Sequence, residues 1–325
     1  MASKPKIIDC GFQNLKPSLI TVLAGGTGSV KLVRGLASQT EDLVVIANVA
    51  DNIWLYGLYI CPDIDTVIYG LADLLDKKQG WGIKNDSFGF LHQMEVLGEK
   101  LWFKIGDRDL ATHLLRTGML KDGKKLSEIT DWMRGRYRIR AKVIPATDNP
   151  METKIVTDKG RLHIQEFWVK YHAKPDVLNI VYDGANKSHV NPKAIDALRR
   201  SEIVVIAPGN PITSIGAILA VKGMRKEIIG QRRKIIAVSP MIGKDAISGP
   251  AAKYMEAMGI QNSPLGVARY YSDFIEKFAI SASDHNLCTD ISKLDIQPCE
   301  TDIIMSDEDD EIRLALYLLR QFQRS

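Results

Sequence analysis

The sequence predicts an α/β fold: a mostly parallel sheet flanked by helices, with an added, mainly helical portion. Three observations predict it. Short apolar, β-branched runs recur at residues 19–24, 43–47, 203–207 and 234–238, with the length and character of strands covered on both faces. Two of these runs discharge into a glycine turn and then a helix, as AGGTGSVKLVRGL and APGNPITSIGAIL. Between the strands the apolar residues take helical spacing. Val30, Val33 and Ala37, with Leu32 and Leu36, leave Lys31 and Arg34 on a polar side.

The first turn carries the strongest local signal. Gly25, Gly26, Thr27 and Gly28 sit between a strand and the start of a helix, where unpaired amides and the positive end of the helix dipole converge. An anion, most often a phosphate, is the expected guest; the alternative is a tight strand-to-helix turn. A dinucleotide fingerprint needs a glycine where Lys31 stands and an acid where Asn48 closes the second strand. A P-loop needs a Gly-Lys-Ser/Thr that is absent. A nicotinamide-dependent oxidoreductase is therefore disfavoured.

The second strand runs into NVADNIWLYGLYICPDIDT, which supplies Asp51, Asn52, Asp63 and Asp65. Asp65 reads as the N-cap of a helix from about Thr66, a role that leaves Asp51 and Asp63 without a reason. Carboxylates beside a phosphate loop suit magnesium on a phosphorylated substrate. Residues from about 66 to 140 read as mainly helical. Within them Trp81, Asn85, Asp86 and Phe88 form either a ligand-facing loop or a turn with aromatic anchors. Asp109 reads as a possible helix cap. His113 is open between core, surface and catalysis.

Residues 139–144, 153–156, 162–168 and 180–182 suggest short strands, some of them antiparallel. The turn after residue 207, with Gly209, Asn210, Thr213 and Ser214, is a second candidate contact for an anion or nucleobase. Residues 278–282 and 303–305 read as the final strands. The acidic run before the closing amphipathic helix favours that helix's N-terminus.

With 325 residues, 45% hydrophobic, and a net charge of +4, the chain can bury a large core and gives no sign of a nucleic-acid partner. Residues 1–18 read as an N-terminal extension without the apolar core of a signal peptide, and 19–325 as a single domain. No apolar run approaches a membrane span. The four cysteines show no paired CxxC spacing, so a cytoplasmic protein is expected.

AGGTGSVKLVRGL, NVADN with CPDIDTV, WGIKNDSFG, KIGDRDLATH, GNPITSIGAIL and AVSPMIGKDAISGPAAKYM together resemble successive motifs of the 2-phospho-L-lactate transferase family of coenzyme F420 biosynthesis. The resemblance runs from about residue 19 to the C-terminus. It implies a Rossmann-like sheet, a homodimer and a magnesium requirement. It also implies transfer of 2-phospholactate from lactyl-2-diphospho-5′-guanosine to the ribityl hydroxyl of the deazaflavin Fo, giving F420-0 and GMP; some members use related donors.

On this resemblance Asp65 and Lys104 would contact Fo, with Trp81, Asn85, Asp86 and Phe88 near it. The two glycine turns would hold the donor, and Asp51 or Asp65 would ligate Mg2+ and serve catalysis, with Asp65 alternatively orienting or deprotonating the Fo hydroxyl. The chain departs from the family pattern at Ala50 and at Asn52, an amide where a carboxylate is common. The competing reading is a non-catalytic relative that binds sugar nucleotides through the same glycine loop.

Overall fold

The structure is a computed structural model that describes residues 19–247 and 249–322; the expected N-terminal extension lies outside the described residues. The chain opens with β1 (Ile20–Ala24) and α1 (Thr27–Gln39). Next come β2 (Leu43–Ala47), a hairpin of β3 (Ile53–Leu55) and β4 (Leu58–Ile60), and α2 (Pro62–Leu71). Helices α3 (Gly89–Val96), α4 (Asp107–Lys121) and α5 (Leu126–Arg136) precede β5 (Lys142–Pro145).

A separate antiparallel sheet follows, of β6 (Glu152–Thr157), β7 (Gly160–His163) and β8 (Val177–Asp183). The alternating elements resume with α6 (Pro192–Arg200), β9 (Ile203–Ile206), a π-helical turn Pro211–Gly216, α7 (Ala217–Ala220), α8 (Met224–Ile229) and β10 (Ile235–Val238). A two-residue hairpin, β11 (Met241–Ile242) with β12 (Asp245–Ala246), leads to α9 (Ala251–Ala257) and α10 (Pro264–Tyr271). The chain closes with β13 (Lys277–Ser281), α11 (Cys288–Ser292), β14 (Gln297–Thr301) and α12 (Glu308–Arg320).

Seven strands form the main sheet in the order β14-β13-β10-β9-β1-β2-β5, every pairing parallel. A parallel sheet must be covered on both faces, and strand alternation divides the core accordingly. In β1, Leu23 packs into one cluster with Phe167, Ile212 and Phe278, while Ile20, Val22 and Ala24 join Leu36, Val67 and Leu314 on the other side. The strand order reverses at β1. The chain builds outward through β2 and β5, then returns to the other side of β1 with β9. The carboxyl ends of β1 and β9 are therefore neighbours at a topological switch point, where open α/β sheets bind ligands.

Several boundaries differ from expectation, each for a local reason. The strand expected from residue 139 begins at Lys142, because the backbone turns through positive φ at Arg138 and the Arg134 guanidinium holds the Ile139 carbonyl. The last strand is Gln297–Thr301 rather than 303–305. Around Ile303 the carbonyls of Asp302 and Ile304 accept from Arg313, and that of Met305 from Lys31, so cations take the place of a strand partner. Asp65 is not an N-cap. Pro62 starts α2 one turn earlier, with its φ already set for the first helical position. Likewise α4 starts at Asp107, which leaves Asp109 inside its first turn.

Candidate active site

At the switch point both glycine turns open into one cavity of about 550 Å³. They are in contact: a β-carbon on Gly209 would lie 2.9 Å from the Gly25 carbonyl oxygen and 2.9 Å from the Ser29 hydroxyl. Gly26 takes φ +74° immediately before α1, a conformation that side chains disfavour. Gly25, Gly26, Thr27, Gly28, Gly209, Asn210, Thr213 and Ser214 all border the cavity.

The amides are only partly available. Gly25 donates to Ser29 Oγ at 3.3 Å and Gly26 to Asp63 Oδ1 at 2.8 Å. Thr27 and Gly28, first in α1, have no intrahelical acceptor, as for any helix start, and both residues border the cavity. In the second turn Asn210 Oδ1 caps the Ile212 and Thr213 amides at 2.9 and 3.0 Å, so it is the cap of that turn first.

Two carboxylates sit beside the cradle. Asp63 lies in the first turn of α2, a favourable place for negative charge. It accepts from Gly26 N and, through Oδ2, from Asn48 Nδ2 at 2.9 Å. Asn48 in turn is fixed by the Ala50 amide, which donates to its Oδ1 at 3.0 Å. Burial pushes Asp63 up to about 6 against those hydrogen bonds. Burial and the charge of Asp63 hold Asp51 well above the usual carboxylate range, opposed by the Asn48 and Thr153 side chains. Two acids that repel each other at a cavity wall, Asp63 buried and Asp51 half-buried, form an oxygen donor set suited to a hard divalent cation.

Asp65 faces a different partner. Two residues on from Asp63, it points away from the glycine turn and toward α4. Arg116 Nη1 donates to its Oδ2 at 2.9 Å, and Nη2 contacts Oδ1. Arg116 is almost fully buried, and its Nε has no partner among the described residues. His113 Nδ1 lies 3.3 Å from Arg116 Nη1, and its Nε2 3.3 Å from Asp109 Oδ1. The Tyr69 hydroxyl donates to Asp109 Oδ1 at 2.7 Å. Burial raises the Asp109 pKa, but the hydrogen bond and charge of His113, with Tyr69 and Arg116, outweigh it and keep this carboxylate below its ordinary value.

The outer wall is aromatic. Trp81, Trp102, Phe103 and Trp168 border the cavity, as do Lys104 and Tyr254. Gly80 abuts the Thr27 side chain, which brings the Trp81 loop against the start of α1. The rest of that loop does something else. Asp86 accepts from the Arg108 and Asp109 amides at 2.9 and 3.0 Å, while Asp107 accepts from Gly89 and Phe90 at 2.9 and 2.8 Å. The starts of α3 and α4 thus cap each other reciprocally. Asn85, at φ +56°, serves the turn, and Phe88 is exposed; neither they nor Asp86 border the cavity.

Sequence reasoning left Asp63 unassigned and missed Arg116, Asn48, Trp102 and Trp168. For Asn48 a signal existed in its place at the carboxyl end of a strand beside the turn. Arg116 shows only as a partner of His113 one helical turn away.

Switch-point turns over two carboxylates, bordered by aromatic rings, give this α/β protein a cavity with the chemistry to receive an anionic small molecule. The family described as "2-phospho-L-lactate transferase CofD" matches residues 20–313. A 2-phospho-L-lactate transferase from Methanosarcina mazei is 38% identical over 303 residues, covering 93% of this chain and 99% of the relative. One from Methanocaldococcus jannaschii is 40% identical over 306 residues, covering 91% and 96%. A phosphoenolpyruvate transferase from Streptomyces griseus is 34% identical over 304 residues, covering 91% and 96%. The crystal structure of a UPF0052 family member from Bacillus halodurans superposes with a TM-score of 0.64 at 15% identity, covering 94% of this chain and all of that one, a likeness of fold alone. The chain belongs to the 2-phospho-L-lactate transferase family, and it is a transferase. Among the described residues no helix is long and apolar enough to cross a membrane.

Proposed function

We propose that the protein transfers a 2-phospholactate group from lactyl-2-diphospho-5′-guanosine to the ribityl hydroxyl of the deazaflavin Fo, giving F420-0 and GMP. The observation that carries this reading is the convergence of both glycine turns, the carboxylates Asp51 and Asp63, and an aromatic wall on one cavity. The relatives named for phospholactate and phosphoenolpyruvate transfer support the reaction class and bracket the donor's three-carbon acid.

In this reading the Thr27 and Gly28 amides hold donor phosphate oxygens, and the turn at Gly209 takes the other end of the diphosphate. Asp51 and Asp63 would hold Mg2+, which would neutralise charge on the diphosphate as its bridging bond breaks. Asp63 replaces the expected Asp65 in that pair because the Arg116 cation already neutralises Asp65, whereas Asp63 accepts only from uncharged donors. Asp65 is then an oriented acceptor for the Fo hydroxyl, aligning it with the phosphorus. Positioning of this kind is worth several kcal/mol without covalent chemistry. Trp81, Trp102 and Trp168 offer flat faces for the deazaflavin, and Lys104 a cation at its edge. The oxygen-only donor set fits magnesium better than a softer metal. We also propose a homodimer, which rests on the family resemblance.

The test is incubation with Fo, Mg2+ and each candidate guanylyl donor, with product mass spectrometry. A product heavier than Fo by the phosphorylated acid, together with GMP, supports the transfer and identifies the donor. Deazaflavin-independent binding of a sugar nucleotide without turnover would favour the regulator reading instead.

A further inference from the structure

We propose that His285, Cys288 and Glu300 form a second metal site, for a borderline transition-metal cation with Zn2+ as the first candidate, at the outer edge of the sheet. Their ligand atoms, one per residue, lie within 4.8 Å of one another. Among the described residues no other three such side chains meet that spacing.

The fold brings them together by the β13 to β14 crossover. After β13 the chain makes a 3-10 turn, Ala282–Leu287, that runs directly into α11. His285 and Cys288 are three apart there, with the Cys288 amide donating to the His285 carbonyl, so both side chains share one face. Glu300 comes from β14, the edge strand on which this segment packs, and its backbone carbonyl is held by the Tyr317 hydroxyl at 2.8 Å. His285 Nδ1 already meets Glu300 Oε2 at 2.8 Å. The turn itself is anchored below, where the buried Asp284 carboxylate accepts the Gly243 amide at 3.0 Å.

Tetrahedral zinc, with bonds of about 2.0–2.3 Å, needs neighbouring ligand atoms roughly 3.3–3.8 Å apart. His285 and Glu300 are exposed enough to close the remaining gap by side-chain rotation. Imidazole, thiolate and carboxylate together select Zn2+, Co2+ or a similar ion over Mg2+, which prefers oxygen alone. The ligand sets of the two sites are therefore orthogonal. On binding, the metal–sulfur bond forms as the Cys288 thiol releases its proton to solvent, and three protein ligands leave the fourth position open to water.

The experiment uses metal-free full-length protein in excess Mg2+, titrated with Co2+. A saturating one-to-one signal is expected, with a thiolate-to-cobalt charge-transfer band in the near ultraviolet and tetrahedral visible bands, both bleached by Zn2+. Cys288→Ser should abolish the charge-transfer band while leaving the metal-free melting temperature unchanged. His285→Gln and Glu300→Gln should each weaken Co2+ binding about tenfold or more. Absence of the band in the wild type, its persistence in Cys288→Ser, or unchanged affinity in both His285→Gln and Glu300→Gln would overturn the proposal. The two surface substitutions keep it testable should Cys288→Ser misfold.

Discussion

The Asp63 carboxylate accepts the Gly26 amide at 2.8 Å, so a protein anion occupies part of the cradle that the glycine turn offers to a substrate anion. Loop and acid form one unit: what binds Asp63 also sets the turn. Asp51, half-buried beside the buried Asp63, lies close enough for the two charges to repel. Asp51→Asn removes that repulsion and one half-buried charge, while its amide oxygen can still accept from Thr153, 3.2 Å away in the parent protein. Metal-free Asp51→Asn is expected to melt higher than wild type at pH 8. It should also lose the Mg2+-induced rise in melting temperature and about 10²-fold or more in turnover. Thermal melts with and without Mg2+ check this; a preserved Mg2+ effect would remove Asp51 from the metal pair.

The same pair makes metal-free stability depend on pH. Asp63 titrates near 6 in the folded chain, against about 3.9 in an unfolded one. The folded state holds its proton more tightly, so this contribution is full below the unfolded value and is lost as pH rises toward and through 6. From pH 5 to pH 8 the loss is about 1–2 kcal/mol for Asp63 alone, and Asp51 acts in the same direction. Mg2+ must displace those protons, so its stabilisation should be larger at pH 8 than at pH 5. Equal gains at both pH values would contradict the assignment.

How much of this was legible in sequence depended on which physics marked each residue. Strands buried on both faces, such as Ile203–Ile206, leave an unbroken apolar run, and the α/β class follows from them. The edge strand Gln297–Thr301 reads QPCET; half exposed and with a proline tolerated only at an edge, it carries no such mark. Gly25 and Gly209 were legible because neither admits a β-carbon: one on Gly209 would meet the Gly25 backbone, and one on Gly25 the side chains of Ser214, Asn48 and Asp63. Asp86 looked like a ligand contact because caps and ligand-binding carboxylates use the same residue type. Arg116 and Asp65 stand 51 residues apart, and only the packing of α4 against β4 makes them a pair.

That pair is itself testable. Arg116 and Asp65 are both buried, and removing one partner leaves the other's charge uncompensated. Arg116→Met is expected to destabilise the fold by about 3–5 kcal/mol, and Asp65→Asn with Arg116→Met to recover much of it. Urea midpoints of the two single variants and the double variant check this. Additive losses would mean that the ion pair is not what holds α2 to α4. Turnover should fall in all three, since Asp65 loses its fixed orientation in Arg116→Met and its carboxylate is absent from the other two.

The contact between the two turns gives the most local prediction. A methyl group at Gly209 would meet the Gly25 carbonyl oxygen and the Ser29 hydroxyl, both at 2.9 Å. The carbonyl is backbone and cannot swing aside, so the turns must part. Gly209→Ala should therefore raise the donor KM about tenfold or more while the KM for Fo changes little, because the aromatic wall lies on other elements. Gly118→Ala is the control. It lies inside α4 with open space where its β-carbon would sit, and is expected to leave kinetics unchanged and stabilise by up to about 1 kcal/mol. Steady-state kinetics with each substrate varied in turn separate the outcomes. A Gly209→Ala enzyme that loses Fo affinity and keeps donor affinity would place the diphosphate elsewhere than between the turns.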